Sequence, residues 1–457
     1  MNSVVPTTTT QAYVERFEND EARIGDRLPA WLRDQRRAAL ARFSADGFPD
    51  PRAEEWKYTN VRPIAKRVFG QARPIANATE YGCARVDGLD GPRLVFVNGF
   101  LSPELSRLDD GIGLGLLGLD GTTQPNDAVL NLAQAALGQT ATFKDNSFAA
   151  FNTAFMREVA VVDLPPDTSV EQPISLIFLS VPDRDADAPV VCHPRVLIRA
   201  GLGARAHVIE QHWSAPEAEN FVNNVCEIVV GESASLEYTL LQSGGSKGYR
   251  IGSLHARVGA DATLTTHNMH LGGRLVRNDL NVNLEAPGGS TVLNGVFMAN
   301  GREHIDNHTR IHHAAPHTRS DELYRGVLDG HGRGVFKGRV LVERGAQKIE
   351  AHQSNSNLLL SDTAEVDTKP ELEIYADDVI CSHGATVGQI DPKSLYYLRS
   401  RGIDERTAYQ MLVLAFATEV VERQPVEPVR EWIEHQVGAK LGGPAAQIAS
   451  GEPAANG

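Results

Sequence analysis

A turn followed by a strand recurs through the middle of this chain, and its spacing leaves few folds open. The segments GLGARAHVIE from Gly201, GESASLEYTL from Gly231, GADATLTTHN from Gly259, PGGSTVLNGV from Pro287, PHTRSDELYR from Pro316 and GAQKIEAHQS from Gly345 start about 28 to 30 residues apart, and DDVICSHGAT follows at Asp377 after about 32. Short runs rich in Val, Ile, Leu and Thr alternate with Gly, Pro, Asn and Asp, and almost nothing between Glu171 and Ile390 carries helical periodicity. A period of this length, with two or more short strands per unit and no helix, predicts a parallel β-helix in which each coil buries its inward residues against its neighbours. Propeller blades need roughly 40 to 50 residues and four strands each, so they fit poorly. A β-sandwich is the remaining all-β alternative.

The flanks read differently. Residues 1–170 form an N-terminal helical and mixed α/β region: residues 11–44 carry apolar positions at helical spacing, broken at Pro29, and residues 127–137 and 147–157 read as further helices. LVFVNG, from Leu94, reads as a strand into a turn, and FPDPRAEEWKYTNVRP as an ordered connection. Residues 171–390 are the β-helix core. Residues 391–441 form a C-terminal helical region, opened by Asp391 as N-cap and Pro392 at the first helical position, with Gly402 as the stop. A second helix starts after Ile403-Asp404 and presents Ala408, Met411, Leu412, Ala415, Phe416 and Val420, a face expected to pack partly on the coils and partly on a partner; residues 428–441 form a third helix. Residues 442–457 read as a disordered tail.

Within the last repeat, Cys381 and His383 stand two residues apart. On an extended strand they share a face while Ser382 points the other way. A thiolate and an imidazole on one face can hold a soft metal, but they make half a site, since zinc and iron-sulfur centres usually take four protein ligands or three plus an exchangeable one. The rest must come from elsewhere, another chain included. Leu236, Leu264 and Val292 set an inward phase, and by that count Cys381 and His383 fall outward unless the irregular last spacing slips the phase by one. An uncovered last coil invites pairing, which places both residues near an expected dimer surface.

A formal charge of −14 argues against a duplex nucleic-acid partner, and no Lys/Arg cluster offsets it. No apolar run approaches 18 residues and the first 20 residues lack a signal-peptide pattern, so a cytoplasmic protein without a membrane partner is expected. Cys83, Cys192, Cys226 and Cys381 are too scattered for CxxC pairs or a disulfide framework; the first three read as small buried hydrophobes. No GxxxxGK[ST] occurs, SGGSKG from Ser243 does not substitute for it, and no GxSxG elbow accompanies the histidines, so the chain is expected neither to bind ATP nor to transfer acyl groups.

The band HIDNHTRIHHAAPH sets His304, His308, His312, His313 and His317 close together. It supports an alternative in which the chain is a self-contained metal-dependent β-helix or cupin-like enzyme using His304 and His308. Yet no HxH occurs, and histidines hydrogen-bonded across neighbouring coils are the expected reading. The adjacent acids Asp377 and Asp378 resemble the paired carboxylates of β-helix glycosidases, but neighbouring strand residues point oppositely.

PRAEEWKYTNV from Pro51, NLLLSDTAEVDTKPELEIYADDVICSHGATVG from Asn357 and LYYLRSRGI from Leu395 resemble the SufD family, the scaffold subunits of the SUF iron-sulfur cluster assembly system, over nearly the whole chain. The resemblance implies a mainly β protein with a right-handed parallel β-helix core between N- and C-terminal helical regions. It implies a non-catalytic subunit in a complex with a SufB-like paralogue, paired through the β-helix core, and a SufC-like ABC ATPase docked on the C-terminal helices. A transient iron-sulfur cluster would form at the SufB interface with His383 as the implicated ligand and Cys381 as a second ligand or a packed thiol beside it. ATP would be hydrolysed by the SufC-like partner. Whether a reduced flavin takes part in the complex, and whether a homodimer has a role, are left open by the resemblance. A purely structural subunit is the third reading, in which His383 would be silent.

Overall fold

The period in the sequence becomes a ladder in space. In the computed structural model of the chain, which describes residues 8–75, 78–108, 113–119, 127–183, 186 and 188–442, the strands from Arg195–Ala200 onward alternate between two sheets and pair in parallel with the strand one coil earlier. The core is a parallel β-solenoid of about 7 turns. Among the described residues of 171–390 no helix interrupts it. The ladders are long and in register: Phe221–Val230 pairs residue for residue with Tyr249–Val258, and His304–His313 with Arg333–Val342. The sheets also take in strands from before residue 171. Glu158–Leu164 pairs in parallel with Arg195–Ala200, and Arg93–Val97 with Ile174–Ser180.

Inward positions fill the bore with one continuous cluster that includes Val196, Leu236, Leu264, Leu280, Ile311 and Val340. Each such side chain contributes about 1.5–3 kcal/mol when fully buried. Part of each outer face is covered as well, so a strand such as Ile174–Ser180 is buried along its whole length. Helices α1 (Thr8–Ile24) and α2 (Ala30–Asp46) follow the expected break at Pro29, and α3 (Arg62–Ala65), α4 (Asp127–Ala136) and α5 (Ser147–Phe155) complete the N-terminal set. Tyr13, Phe43, Phe148 and Phe151 from this region pack on Phe221, Tyr249 and Leu275 of one sheet.

The other sheet is covered from the C-terminal side by α6 (Pro392–Ser400), α7 (Glu405–Val421) and α8 (Glu427–Lys440). Asp391 caps α6 by accepting from the Lys393 and Ser394 amides, and Asp404 caps α7 through Thr407, as their positions in the sequence predict. The buried stripe of α7 is Ala408, Val413, Ala417, Val420 and Val421, which meets Leu241, Met269, Val296 and Leu323 with help from Val429 and Ile433 of α8. Of the apolar face read from the sequence, Ala408 and Val420 are buried on the coils, while Met411 and Ala415 face solvent. The apolar run around α7 is wide enough to allow two faces, and the coils select the one whose small residues let the helix approach. The expected disordered tail lies, from residue 443, outside the described residues, as does the side chain of Cys83.

Candidate functional site

The last coil ends in the open. Strand Val379–Gly388 pairs along one edge with Ile349–Leu359, and Glu365–Ile374 along one edge with Arg333–Val342; each is the terminal strand of its sheet. Their free edges carry unpaired backbone donors and acceptors, and Ile374, Tyr375, Ile380 and Val387, with Tyr396 and Tyr397 on α6, are exposed around them. Edges of this kind invite another strand or chain.

Register corrects the phase expected for the site. Leu236 pairs with Leu264, but Leu264 pairs with Thr291, not Val292, so one residue is lost in that coil. The row then runs Thr291, Ser320, Ala351 and Cys381, and the neighbouring row runs Tyr238, Thr266, Leu293, Glu322, Gln353 and His383. Cys381 and His383 therefore continue the inward rows rather than the outward ones. They look into the mouth of the bore, on one face, as alternation requires. Ser382 takes the outer face, where its hydroxyl lies 2.8 Å from His352 Nδ1.

Cys381 is half-buried against the end of the core, and that burial raises its thiol pKa, partly offset by a backbone hydrogen bond from Ala351. It is a protonated thiol at neutral pH unless a metal or cation draws the proton off. His383 is exposed at the mouth. Beneath it, Gln353 and Glu322 are buried, and Gln353 Nε2 donates to Glu322 Oε2 at 2.5 Å. Burial pushes the Glu322 carboxyl up to about 7. This polar continuation of the His383 row was missed from sequence, because it becomes visible only once the register fixes which residues face in. Cys192 and Cys226 are buried, and burial drives the Cys192 thiol up to about 12 and that of Cys226 higher than usual. They behave as the expected small hydrophobes.

The histidine band resolves into separate partnerships. His304 Nε2 lies 2.9 Å from the Thr59 hydroxyl. His308 pairs with Asp306 at 3.0 Å and with Glu55 at 3.6 Å, and Arg277 reaches Asp306 at 3.0 Å while its guanidinium sits 3.9 Å over the Trp56 ring. Lys337 closes on Glu55 at 2.9 Å and Lys369 on Glu54 at 3.1 Å. His312 bonds Glu343 one coil on, and His313 points into the bore toward Thr318 and Ser320. These groups clamp residues 54–59 to the outer face. Among the described residues, no three His, Cys, Asp or Glu side chains converge as a metal site, at the band or at the mouth.

The molecule is thus a parallel β-helix flanked by helices, with a Cys/His pair at an uncapped end. Family comparison gives that architecture its place. Residues 183–416 match the model of the SUF system FeS cluster assembly SufBD core domain, and residues 7–176 match that of the SufBD protein N-terminal region. The chain is 31% identical to an iron-sulfur cluster assembly SufBD family protein of Synechocystis over 89% of its own length and 90% of the relative's. It is 30% identical to the iron-sulfur cluster assembly protein SufD of Escherichia coli, over 89% and 92% respectively, and 26% identical to SufD of Bacillus subtilis over 90% and 94%. The chain belongs to the SufBD family, and its role lies in iron-sulfur cluster assembly.

Proposed function

We propose that this chain is a non-catalytic scaffold subunit that pairs through its open last coil with a SufB-like paralogue, and that a nascent iron-sulfur cluster forms between the two. The observation that carries this reading is the placement of Cys381 and His383 in adjacent inward positions on the last coil, whose two strands are each paired along one edge only. Two ligands from this chain, completed by thiolate and carboxylate from the partner, would hold a cluster loosely enough to hand on. His383 offers an exposed imidazole nitrogen, and Cys381 joins once iron lowers its raised thiol pKa. The exposed side of α7, with Met411, suits a SufC-like ATPase, whose nucleotide-driven closure would shift the two scaffold cores and open the mouth. A reduced flavin in the complex and a homodimer of this chain remain subsidiary proposals, to be read from the same experiment.

The test is anaerobic purification of the tagged chain at native expression level, with co-purifying proteins identified and iron, sulfide and flavin quantified. Stoichiometric recovery of a Walker-type ATPase and a β-helix paralogue, with cluster loading lost in His383→Ala, supports the scaffold. A lone chain carrying one tightly held metal, sensitive to His304→Ala rather than to His383→Ala, sinks it.

A further inference from the structure

Beside the first coils, away from the mouth, a small cleft opens between α1, the hairpin turn at Asn98 and Gly99, and residues 191–193. Arg16, Arg157 and His193 line it. Cluster assembly as proposed above makes no use of these groups.

Charge in the cleft is lopsided. Arg157 pairs with Asp20 at 2.5 Å, and the same carboxylate takes Arg23 at 3.3 Å and Gln71 Nε2 at 3.2 Å. Glu158 turns to the Leu101 amide at 2.6 Å. Among the described residues, no carboxylate lies within ion-pair reach of Arg16, whose guanidinium rests 5.1 Å from the Tyr13 ring centroid; partial burial lowers its pKa. A partly desolvated guanidinium on which only the Asp20 carboxylate, shared with Arg157 and Arg23, acts as counter-charge costs free energy that an anion would offset.

His193 adds a donor. It is only 9% exposed and is packed against Phe151 and Phe155. Asn223 Nδ2 lies 3.3 Å from its Nδ1 and can only donate there, which leaves the ring proton on Nε2, where no acceptor among the described residues meets it. Burial first, then the charges of Arg16 and Arg157, push its pKa down to about 3, so the ring is neutral and still donates. The carbonyl of the nearby Asn98 side chain is already taken by the Val181 amide at 2.9 Å. The cleft therefore offers donors and an excess of positive charge, with the Asp20 and Glu158 carboxylates and the Asn98 carbonyl engaged, which selects anions over cations.

We propose that this cleft binds a tetrahedral oxyanion, free or carried as the phosphate group of a larger ligand, through the guanidinium groups of Arg16 and Arg157 and the Nε2 proton of His193. Guanidinium groups match the paired oxygens of phosphate and sulfate in a way that a single ammonium does not.

The experiment titrates the full-length protein in chloride buffer with inorganic phosphate, sulfate, AMP and adenosine, by calorimetry and by ligand-dependent shift of the melting temperature. Saturable one-to-one phosphate binding is expected, weakened about tenfold or more in Arg16→Gln and partly restored in Arg16→Lys, with the ligand-free melting temperature of both variants unchanged. AMP binding at least tenfold tighter than phosphate, with adenosine silent, assigns the site to a carried phosphate group; equal affinity assigns it to the free anion. The proposal is overturned if wild-type protein shows no saturable binding of phosphate, sulfate or AMP, or if Arg16→Gln binds them undiminished. Neither result touches the reading of His383, because the titration needs no cluster.

Discussion

The histidines of residues 304–313 and the histidine at residue 383 sit on strands of the same solenoid, yet their surroundings are opposite. His304 and His308 are covered by residues 54–59 and matched to Thr59, Asp306, Glu55 and Arg277. His383 stands exposed at an end with unpaired edges. The contrast teaches that density of histidine in a sequence says little about chemistry. A polar group whose partners all lie within the chain has been committed to folding, whereas one left open at an unfinished edge is free to bind. In the band, positive and negative groups alternate: Arg277, Lys337 and His308 face Asp306, Glu55 and Asp279, so adding a metal would mean breaking pairs already made. Burial and these carboxylates compete at His308, and its pKa ends raised, while Arg277 and His308 hold Asp306 well below the usual carboxylate range despite its burial.

If that account of the band is right, its loss should damage the fold more than any change at the mouth. Asp306→Ala leaves Arg277 and His308 buried without their common counter-charge and releases Thr59, and it should destabilise the protein by about 3–5 kcal/mol, as removal of one partner from a buried ion pair does. Urea denaturation at neutral pH measures this. A loss below 1 kcal/mol would mean that the clamp is not structural, and the comparison would fail at its first term. Because Asp306 has a depressed pKa, its contribution is present above the ordinary carboxylate pKa and is lost as pH falls through the folded value, so the deficit of Asp306→Ala should shrink in acid.

Much of this was legible in the sequence, and the misses have physical causes. Turn residues and β-branched runs act locally, so the period, the absence of helix in the core and the caps at Asp391 and Asp404 could be read directly. The proximity of Cys381 to His383 on one face followed from strand alternation alone. Which face it was did not, because a single-residue slip between Leu264 and Thr291 reverses the assignment of everything that follows, and no local signal marks it. The clamp was hidden for another reason. Arg277 meets the backbone carbonyl of Glu55, and Lys337 its carboxylate, across more than 200 residues of chain, and the EEWKYTN segment shows its acids and aromatic without showing what they touch. The solvent face of α7 was likewise undecidable from a helix apolar nearly all round.

A second prediction sharpens the comparison inside the bore, where Glu322 lies between the two regimes: buried like the band, but with no charged partner at hydrogen-bond distance among the described residues. Its folded pKa of about 7 lies above its ordinary value of 4.5, so the folded state binds the proton more tightly than the unfolded one. The contribution to stability is fully present below 4.5 and is lost as pH rises through about 7. Glu322→Gln keeps the shape and an acceptor for Gln353 while removing the ionisation. It should be close to neutral at pH 5 and stabilising by about 1–3 kcal/mol at pH 8, in denaturant titrations at the two values. Equal effects at both would show that Glu322 is hydrated or paired, and that the bore is not the dry interior its apolar rows suggest.

The smallest effect on the fold belongs to the mouth itself. His383 is exposed and makes no contact that the core depends on, so His383→Ala should change stability by no more than about 0.5 kcal/mol, as surface substitutions usually do. Cys381→Ala removes a half-buried sulfur at the end of a row and should cost about 1 kcal/mol or less. Denaturation of the isolated full chain measures both. If His383→Ala instead costs as much as Asp306→Ala, then His383 is a structural residue, and any defect in cluster assembly would have to be assigned to a weakened fold. If it costs nothing while cluster loading in the complex is lost, the two sets of histidines are separated by experiment as they are by geometry: the band maintains the coils, and the mouth is where another molecule supplies what this chain lacks.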